Sequence, residues 1–530
     1  MQSRLFLCTS QFDSMIITEL FDLAVAAHPD RAFLIDGKRT LTYRDVQDAS
    51  LGVAAGLQAI GFGEGARGAV LSVNDSSAIV CILGLLRSGV VWLPVNPRNA
   101  ICENTRALQI FKCNVLFFHS SFLELLPQIL SGAPCIQSVI CIDRDDTDYP
   151  RMGSWMPSQQ PAYRSLPPDP DRLAAISVTS GTTGKPKGVM LTERNFVAFT
   201  LGYAQLLHED TPPVFLAAAP ITHVAGRMCF PVMHLGGTVV LLPSAEPQAI
   251  LKAIQHYKIT RLFLPPTAIY NLLDQPNVRA IDYSSLKYFV FGGAPMAIAR
   301  LKEAIDVFGP VMTQGYGQTE APMLIAQMYP QDYFVSGEIA PDSRLMSCGR
   351  PTAAADVAIM DEGGNVLPPG MEGEIVVRGA FVMSGYENDL AATAEVSAFG
   401  WHHTGDIGCF DADGFLFIVD RKKDMIISGG FNVYPAEIER VLLDQPGVQD
   451  CAVIGVPDAK WGEAVKAVVQ PVPGHEVDPT LLQAVCRTNL GGVKTPKSIE
   501  IWSSLPRNEA GKVLKREIRR QFWVDKDRRI

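Results

Sequence analysis

The sequence predicts an α/β fold: a large amino-terminal part of sheets covered by helices, and a smaller α+β part at the carboxyl end. Three observations carry this. Short β-branched or aromatic runs alternate with helix-like periodicity for most of the chain, the pattern of strands feeding helices that pack on sheet faces. The length, 530 residues, exceeds what one hydrophobic core organises. Near residue 420 a cluster of charges interrupts the pattern, and a different, compact alternation follows it.

Taken in order, the longest apolar stretch spans residues 78–95 and is interrupted by Arg87 and Pro94, so it reads as a core helix running into a strand rather than a membrane span. Residues 143–172 are rich in Pro, Asp and Ser without periodicity and read as a surface connection. Residues 261–264 and 287–291 read as strands, the second followed by a helix over 296–308. A strand at 415–419 is expected to end in the charged break from Asp420 to Asp424, with a new strand at 425–428. Beyond it Pro435 suits the first position of a helix over 436–443. Strands at 451–456 and 464–471, a helix near 481–490 and a last helix at 513–522 complete the pattern, with no internal repeat.

The charge balance is acidic, −9 with pI about 5.6, which disfavours nucleic acid as a partner. A basic run from Arg507 onward, nine Lys/Arg against four Asp/Glu, reads by default as a solvated helix face. The 11 cysteines are odd in number and scattered without a CxxC pair, the pattern of reduced thiols in a cytoplasmic setting. No signal peptide or other targeting segment is expected, and Met15 is an alternative start.

Five motifs carry chemistry. Thr179-Ser180-Gly181-Thr182-Thr183-Gly184-Lys185-Pro186-Lys187-Gly188 follows an apolar strand and precedes a helix expected to be capped by Thr192. Its glycines let backbone approach a phosphate, and its hydroxyls and lysines supply donors and charge. It is not a Walker A loop, because Pro186 follows the lysine and two residues separate the first glycines. Gly315-Tyr316-Gly317-Gln318-Thr319-Glu320 offers a ring for a purine, a hydroxyl for a phosphate oxygen and a carboxylate for Mg²⁺. Gly293-Ala294-Pro295 closes a strand with a turn poor in side chains, leaving room for a planar base. Asp406, in Thr404-Gly405-Asp406, suits a ribose diol or serves only as a local cap. Lys512 stands in a loop entering a helix, and by itself reads as a solvated lysine.

These motifs, in this order and spacing and together with DRKKDMIISGG at residues 420–430, resemble the adenylate-forming superfamily in its acyl-CoA synthetase and aryl-CoA ligase branch. The resemblance runs from about Thr18 to Phe522. It implies a multi-subdomain amino-terminal domain of mixed sheets flanked by helices, residues 1–421, and a small mobile α+β domain, residues 422–530. It implies ATP, Mg²⁺ and coenzyme A, with a small carboxylic acid as substrate. Thr182 and Lys187 with their loop would hold pyrophosphate, Tyr316 would stack on adenine and Thr319 would bond the α-phosphate. Glu320 would orient the metal, Asp406 would bind ribose and Arg421 would contact ribose or phosphate. Lys512 would bridge the carboxylate and the α-phosphate, Lys423 falls on the hinge, and Gly429-Gly430 fall on the loop lining the thiol tunnel.

Residues 219–227 resemble the segment lining the family's acyl pocket, with His223 at a position where acyl- and aryl-CoA ligases often have histidine. His223 reads equally as a pocket gate or a core histidine, and Arg227 as the partner of a nearby acid ahead of a site for a second substrate carboxylate. No Asp is present there to pair with an α-amino group. The further liners Val224, Met228, Phe291, Ala321 and Met323 are apolar, so a hydrophobic fatty or aromatic acid is expected. No carrier-protein segment follows Lys512, which favours coenzyme A as acceptor over a carrier protein. A non-catalytic nucleotide-binding relative is the remaining alternative, and a homodimer is compatible with the sequence.

Overall fold

The computed structural model describes residues 14–37, 39–157, 163–179, 186–422, 424–428, 431–458, 461–507 and 513–523. The chain divides into two compact units, residues 1–345, 349–356 and 377–397 in the first, and 346–348, 357–376 and 398–530 in the second. The fold is α/β, as the alternation predicts.

The first unit is built on two sheets. A nine-stranded sheet places Met312–Tyr316, Tyr288–Gly292, Arg261–Phe263, Val214–Ala217, Thr238–Leu241 and Ala32–Asp36 side by side in parallel, with antiparallel strands at both edges. A seven-stranded sheet runs Gly385–Tyr386, Lys187–Thr192, Leu173–Thr179, Val91–Leu93, Arg67–Leu71, Val115–Phe118 and Ser138–Cys141. Strands covered on both faces need apolar side chains at every position, and Val115–Phe118, VLFF, is buried throughout. Helix Ile298–Phe308 turns Leu301, Ala304, Ile305 and Phe308 onto the nine-stranded sheet, where they meet Phe289 and Phe291.

The apolar stretch read as helix into strand is that. Ser76–Ser88 starts at Asp75, whose side chain accepts from the Ser77 N–H at 2.7 Å, and stops at Gly89 in the left-handed region. Every residue of that helix is buried, and Arg87 inside it pairs with Asp22. No helix among the described residues is long and apolar enough to cross a membrane. The connection at 143–172 contains one short helix, Met152–Trp155, and is otherwise irregular where described.

The second unit holds a four-stranded sheet, Asp356–Met360, Gly373–Arg378, His402–Phe410 and Leu416–Arg421. A further sheet runs Phe431–Val433, Ile426–Ser428, Gly462–Pro471 and Val448–Asp458, with Ser498–Ile501 added parallel to Gly462–Pro471. Pro435 opens helix Pro435–Leu443 as expected. Two expectations are corrected. Asp420 and Arg421 do not break the strand but continue it, paired with Ile407 and Asp406. Asp420 is buried because one oxygen takes the Pro435–Leu443 helix's Ala436 N–H at 2.8 Å. The last helix is also shorter, Lys515–Arg520, since Val513 is drawn into a bridge with Arg507.

Candidate functional site

Two antiparallel strands, Leu173–Thr179 and Lys187–Thr192, bring Thr179 opposite Lys187. They flank the glycine-rich motif on either side. Ser180, Gly181, Thr182, Thr183 and Gly184 lie outside the described residues. On the far side Thr192 caps helix Glu193–Leu206 and Asn195 reciprocates, bonding the Thr192 N–H at 2.8 Å.

Gly292 sits opposite Gly315 at the carboxyl ends of two parallel strands, the place where open α/β sheets bind ligands. Gly293, Ala294 and Pro295 are exposed there, and no atom lies within 4 Å of where a Gly293 Cβ would stand. Gly317 is needed for the opposite reason: a Cβ would meet the Met323 nitrogen at 2.2 Å. This turn carries Thr319, half-buried, and Glu320, 9% exposed, just beyond the buried ring of Tyr316.

One tyrosine joins the two motifs. The Tyr386 hydroxyl donates to Glu320 Oε1 at 2.9 Å, and the Lys187 Nζ stands 4.6 Å from the Tyr386 ring centroid. Behind them Arg227 is buried, bonded to the Ser177 hydroxyl and set over the Phe196 ring, while its Nε and Nη1 have no hydrogen-bond partner. Burial pulls its guanidinium down to about 10, against the opposing pull of the Glu320 charge. Glu320 is the acid whose charge opposes that shift, and the two form no ion pair among the described residues.

His223 precedes the short helix Val224–Met228 and is held near 4 by burial, with the Arg227 charge adding to it, so its imidazole is neutral. Its segment is pinned by Asn74, whose amide donates to Ala217, Ala219 and Leu242 carbonyls and accepts from the Ile221 N–H. Of the expected apolar liners, Phe291 and Ala321 have no accessible surface, and Phe291 belongs to the sheet core. Both therefore leave the list of liners; the Val224 side chain is outside the described residues.

In the second unit Asp406, 8% exposed, faces Arg421 at 3.4 Å across a strand pair. The turn before it is held by Glu374, which accepts from the Gly405 N–H at 3.0 Å, from His403 at 3.0 Å and from Lys422 at 3.2 Å. Thr404 donates to the Ile375 carbonyl at 2.7 Å. Lys423, Gly429, Gly430 and Lys512 lie outside the described residues.

Tyr386, Asn74 and Glu374 were not singled out from sequence. Each acts across a long separation, 66 residues from Tyr386 to Glu320 and 147 from Asn74 to Ile221, and no local pattern reports that.

Among the described residues no cluster of three His, Cys, Asp or Glu could cage a metal. The donor set suits Mg²⁺, which takes one or two carboxylates and completes its shell with water and substrate phosphates. Parallel sheets whose carboxyl edges present a glycine-rich motif, an open turn and a lysine near a carboxylate define an α/β enzyme that handles a phosphorylated nucleotide.

Residues 21–387 match the AMP-binding enzyme family and residues 437–512 its C-terminal domain; the chain belongs to the AMP-binding enzyme family. It is 36% identical over 488 residues to a feruloyl-CoA synthase of an Amycolatopsis species, covering 92% of this chain and 95% of that one. It is 33% identical over 523 residues to a medium/long-chain-fatty-acid–CoA ligase of Mycobacterium tuberculosis, covering 96% and 90%. Among solved structures, the amide bond synthetase McbA from Marinactinospora thermotolerans superposes with a TM-score of 0.86 at 31% identity, covering 96% of this chain and 99% of that one.

Proposed function

We propose that this chain is an ATP-dependent acyl-CoA synthetase that joins a hydrophobic monocarboxylic acid, fatty or aromatic, to coenzyme A through an acyl-AMP. The observation that carries the reading is the convergence of Lys187 and Glu320 on Tyr386, beside the glycine-rich motif. A cation for phosphate and a carboxylate for metal, held near each other without neutralising each other, suit a reaction in which one anion attacks another.

The loop donors and Lys187 would hold the departing pyrophosphate, Tyr316 the adenine, Thr319 the α-phosphate, and Asp406 with Arg421 the ribose. Mg²⁺ held by Glu320 would supply positive charge against the phosphates. Lys512 would bridge the carboxylate and α-phosphate during adenylation. It would then leave as residues 422–530 rotate about Lys423 and bring Gly429-Gly430 to the thiol path. The cysteine pattern supports a reducing, cytoplasmic setting.

The test offers the purified chain a panel of fatty and aryl acids and measures ATP–pyrophosphate exchange, then thioester formation with coenzyme A. Failure of every acid to give an acyl-AMP sinks the reading. Acyl transfer to an amine or to a phosphopantetheinylated carrier protein, but not to coenzyme A, corrects the acceptor alone. Lys512→Ala should lower acyl-AMP formation ~10²–10³-fold yet still convert supplied acyl-AMP to thioester. Lys423→Pro should show the reverse preference, losing thioester formation more than adenylation.

A further inference from the structure

We infer that Tyr386 is a positioning residue for adenylation, an aromatic spacer that seats Lys187 on its face and Glu320 on its hydroxyl while keeping the two from pairing. The inference rests on the function proposed above and deepens it, since neither the glycine-rich motif nor the YGQTE motif contains this residue.

Four observations support it. The ring is buried, 6% exposed, in the two-residue strand Gly385–Tyr386, whose partners Met190 and Val189 continue directly from Lys187 and Gly188. Its backbone is fixed on both sides: the Tyr386 N–H donates to the Thr393 hydroxyl at 2.9 Å, and the next N–H, that of Glu387, donates to the Gly188 carbonyl at 2.7 Å. The Glu387 side chain is in turn tied to Arg67, so the edge strand is anchored to the sheet. Finally, Lys187 and Glu320 form no ion pair with each other among the described residues, although both touch the same side chain.

The chemistry explains why a tyrosine fits here. A lysine and a carboxylate free to meet form a salt bridge, and each is then engaged by the other instead of by phosphate and metal. A ring face attracts the ammonium through its quadrupole without removing its charge. The hydroxyl orients the carboxylate by donating one hydrogen bond, leaving the second oxygen for a cation. The two contacts reinforce each other, because a carboxylate on the hydroxyl raises electron density on the face that Lys187 sits against.

The ring and the hydroxyl are separable by substitution. Tyr386→Phe keeps the face for Lys187 and removes the donor to Glu320; Tyr386→Leu removes both. Outer-shell partners of metal ligands typically carry ~10–100-fold in metal affinity. Binding is read directly, by electron paramagnetic resonance titration of Mn²⁺ into enzyme with ATP and by calorimetry of ATP without metal. Tyr386→Phe should weaken Mn²⁺ binding by about 10-fold with metal-free ATP binding unchanged, whereas Tyr386→Leu should weaken both. Wild-type Mn²⁺ affinity in Tyr386→Phe overturns the inference, whatever becomes of Tyr386→Leu. So does equal loss of metal and metal-free ATP binding in the phenylalanine variant. Because binding is measured without turnover, an enzyme that forms no acyl-AMP would remove the proposed function and leave this result legible.

Discussion

Glu320 and Asp406 are both carboxylates in turn-bearing motifs, and they are almost equally buried, at 9% and 8% exposed. Their surroundings differ. Glu320 receives a neutral hydroxyl from Tyr386, and neither Lys187 nor Arg227 forms an ion pair with it among the described residues. Asp406 faces a guanidinium directly, with Arg421 3.4 Å away and its side chain 46% exposed. A carboxylate whose charge is not cancelled at contact distance is prepared for a metal ion. One already matched by a mobile guanidinium is prepared to accept hydrogen bonds, as a diol requires. The comparison therefore separates two carboxylates by their partners, one given a neutral donor and the other a cation.

The largest expected effect breaks the comparison most directly. Glu320→Gln keeps the size and the hydrogen bond from Tyr386 but removes the charge, and should cost ~10²–10³ in ATP–pyrophosphate exchange. Asp406→Asn keeps an acceptor for one ribose hydroxyl and should cost only about 10-fold, appearing in KM for ATP. Equal losses in the two variants, measured at saturating metal, would remove the distinction.

A second test concerns stability on the Asp406 side. His402 is buried in the strand that carries Asp406, and burial chiefly, with the neighbouring His403 adding, pulls it down to about 4 against the opposing Glu374 charge. In the unfolded chain a histidine titrates near 6.5. The unfolded state therefore binds the extra proton as pH falls from about 6.5 towards 4, and stability is lost across that window, by about 3 kcal/mol for this group. Denaturant unfolding of the full chain at neutral pH and near pH 5 measures it, and His402→Phe should flatten the difference. An unchanged slope in the variant would mean that another group governs acid sensitivity.

How much of this was legible before the structure depends on the range of each interaction. The strand before the glycine-rich motif, the Thr192 cap and Pro435 at a helix start are local, and each was readable because its signal lies within a few residues; the antiparallel pairing of that strand with Lys187–Thr192 was not read. The Asp420–Arg421 pair was read as a break because charges in a strand usually mark one. The structure shows why they persist: Arg421 pairs with Asp406, and Asp420 supplies a cap to a helix that starts fifteen positions later, between Asp420 and Pro435. Arg227 was expected to pair with a nearby acid; among the described residues it is bonded to the Ser177 hydroxyl, with Nε and Nη1 unpartnered and the Glu320 charge felt without an ion pair. Tyr386 and Glu374 escaped notice because their partners are distant in sequence, so only the folded sheet brings them together.

The smallest effect sharpens the comparison from the other side. Glu374 is to the Asp406 turn what Tyr386 is to Glu320, a partner behind the residue that would meet the ligand, but it works through backbone. Gly405 adopts a positive φ of 71°, and Glu374 fixes that turn by taking its N–H while collecting His403 and Lys422 on the other oxygen. Burial alone would raise this carboxyl, yet the hydrogen bond from His403 and the charge of Lys422 outweigh it and hold the group below the ordinary glutamate range. Its contribution to stability is accordingly present above the unfolded value of about 4.3 and fades only in stronger acid, below the window in which His402 acts. Glu374→Gln retains one acceptor and loses the charge that holds Lys422 and the oxygen that His403 bonds, so about 1 kcal/mol of turn order should go, seen as a KM for ATP raised about 5-fold with kcat and metal dependence unchanged. Tyr386→Phe should give the converse, a shifted metal dependence with metal-free ATP binding intact. Should Glu374→Gln instead shift the metal titration, the Asp406 turn and Glu320 are coupled, and the distinction between the two carboxylates falls.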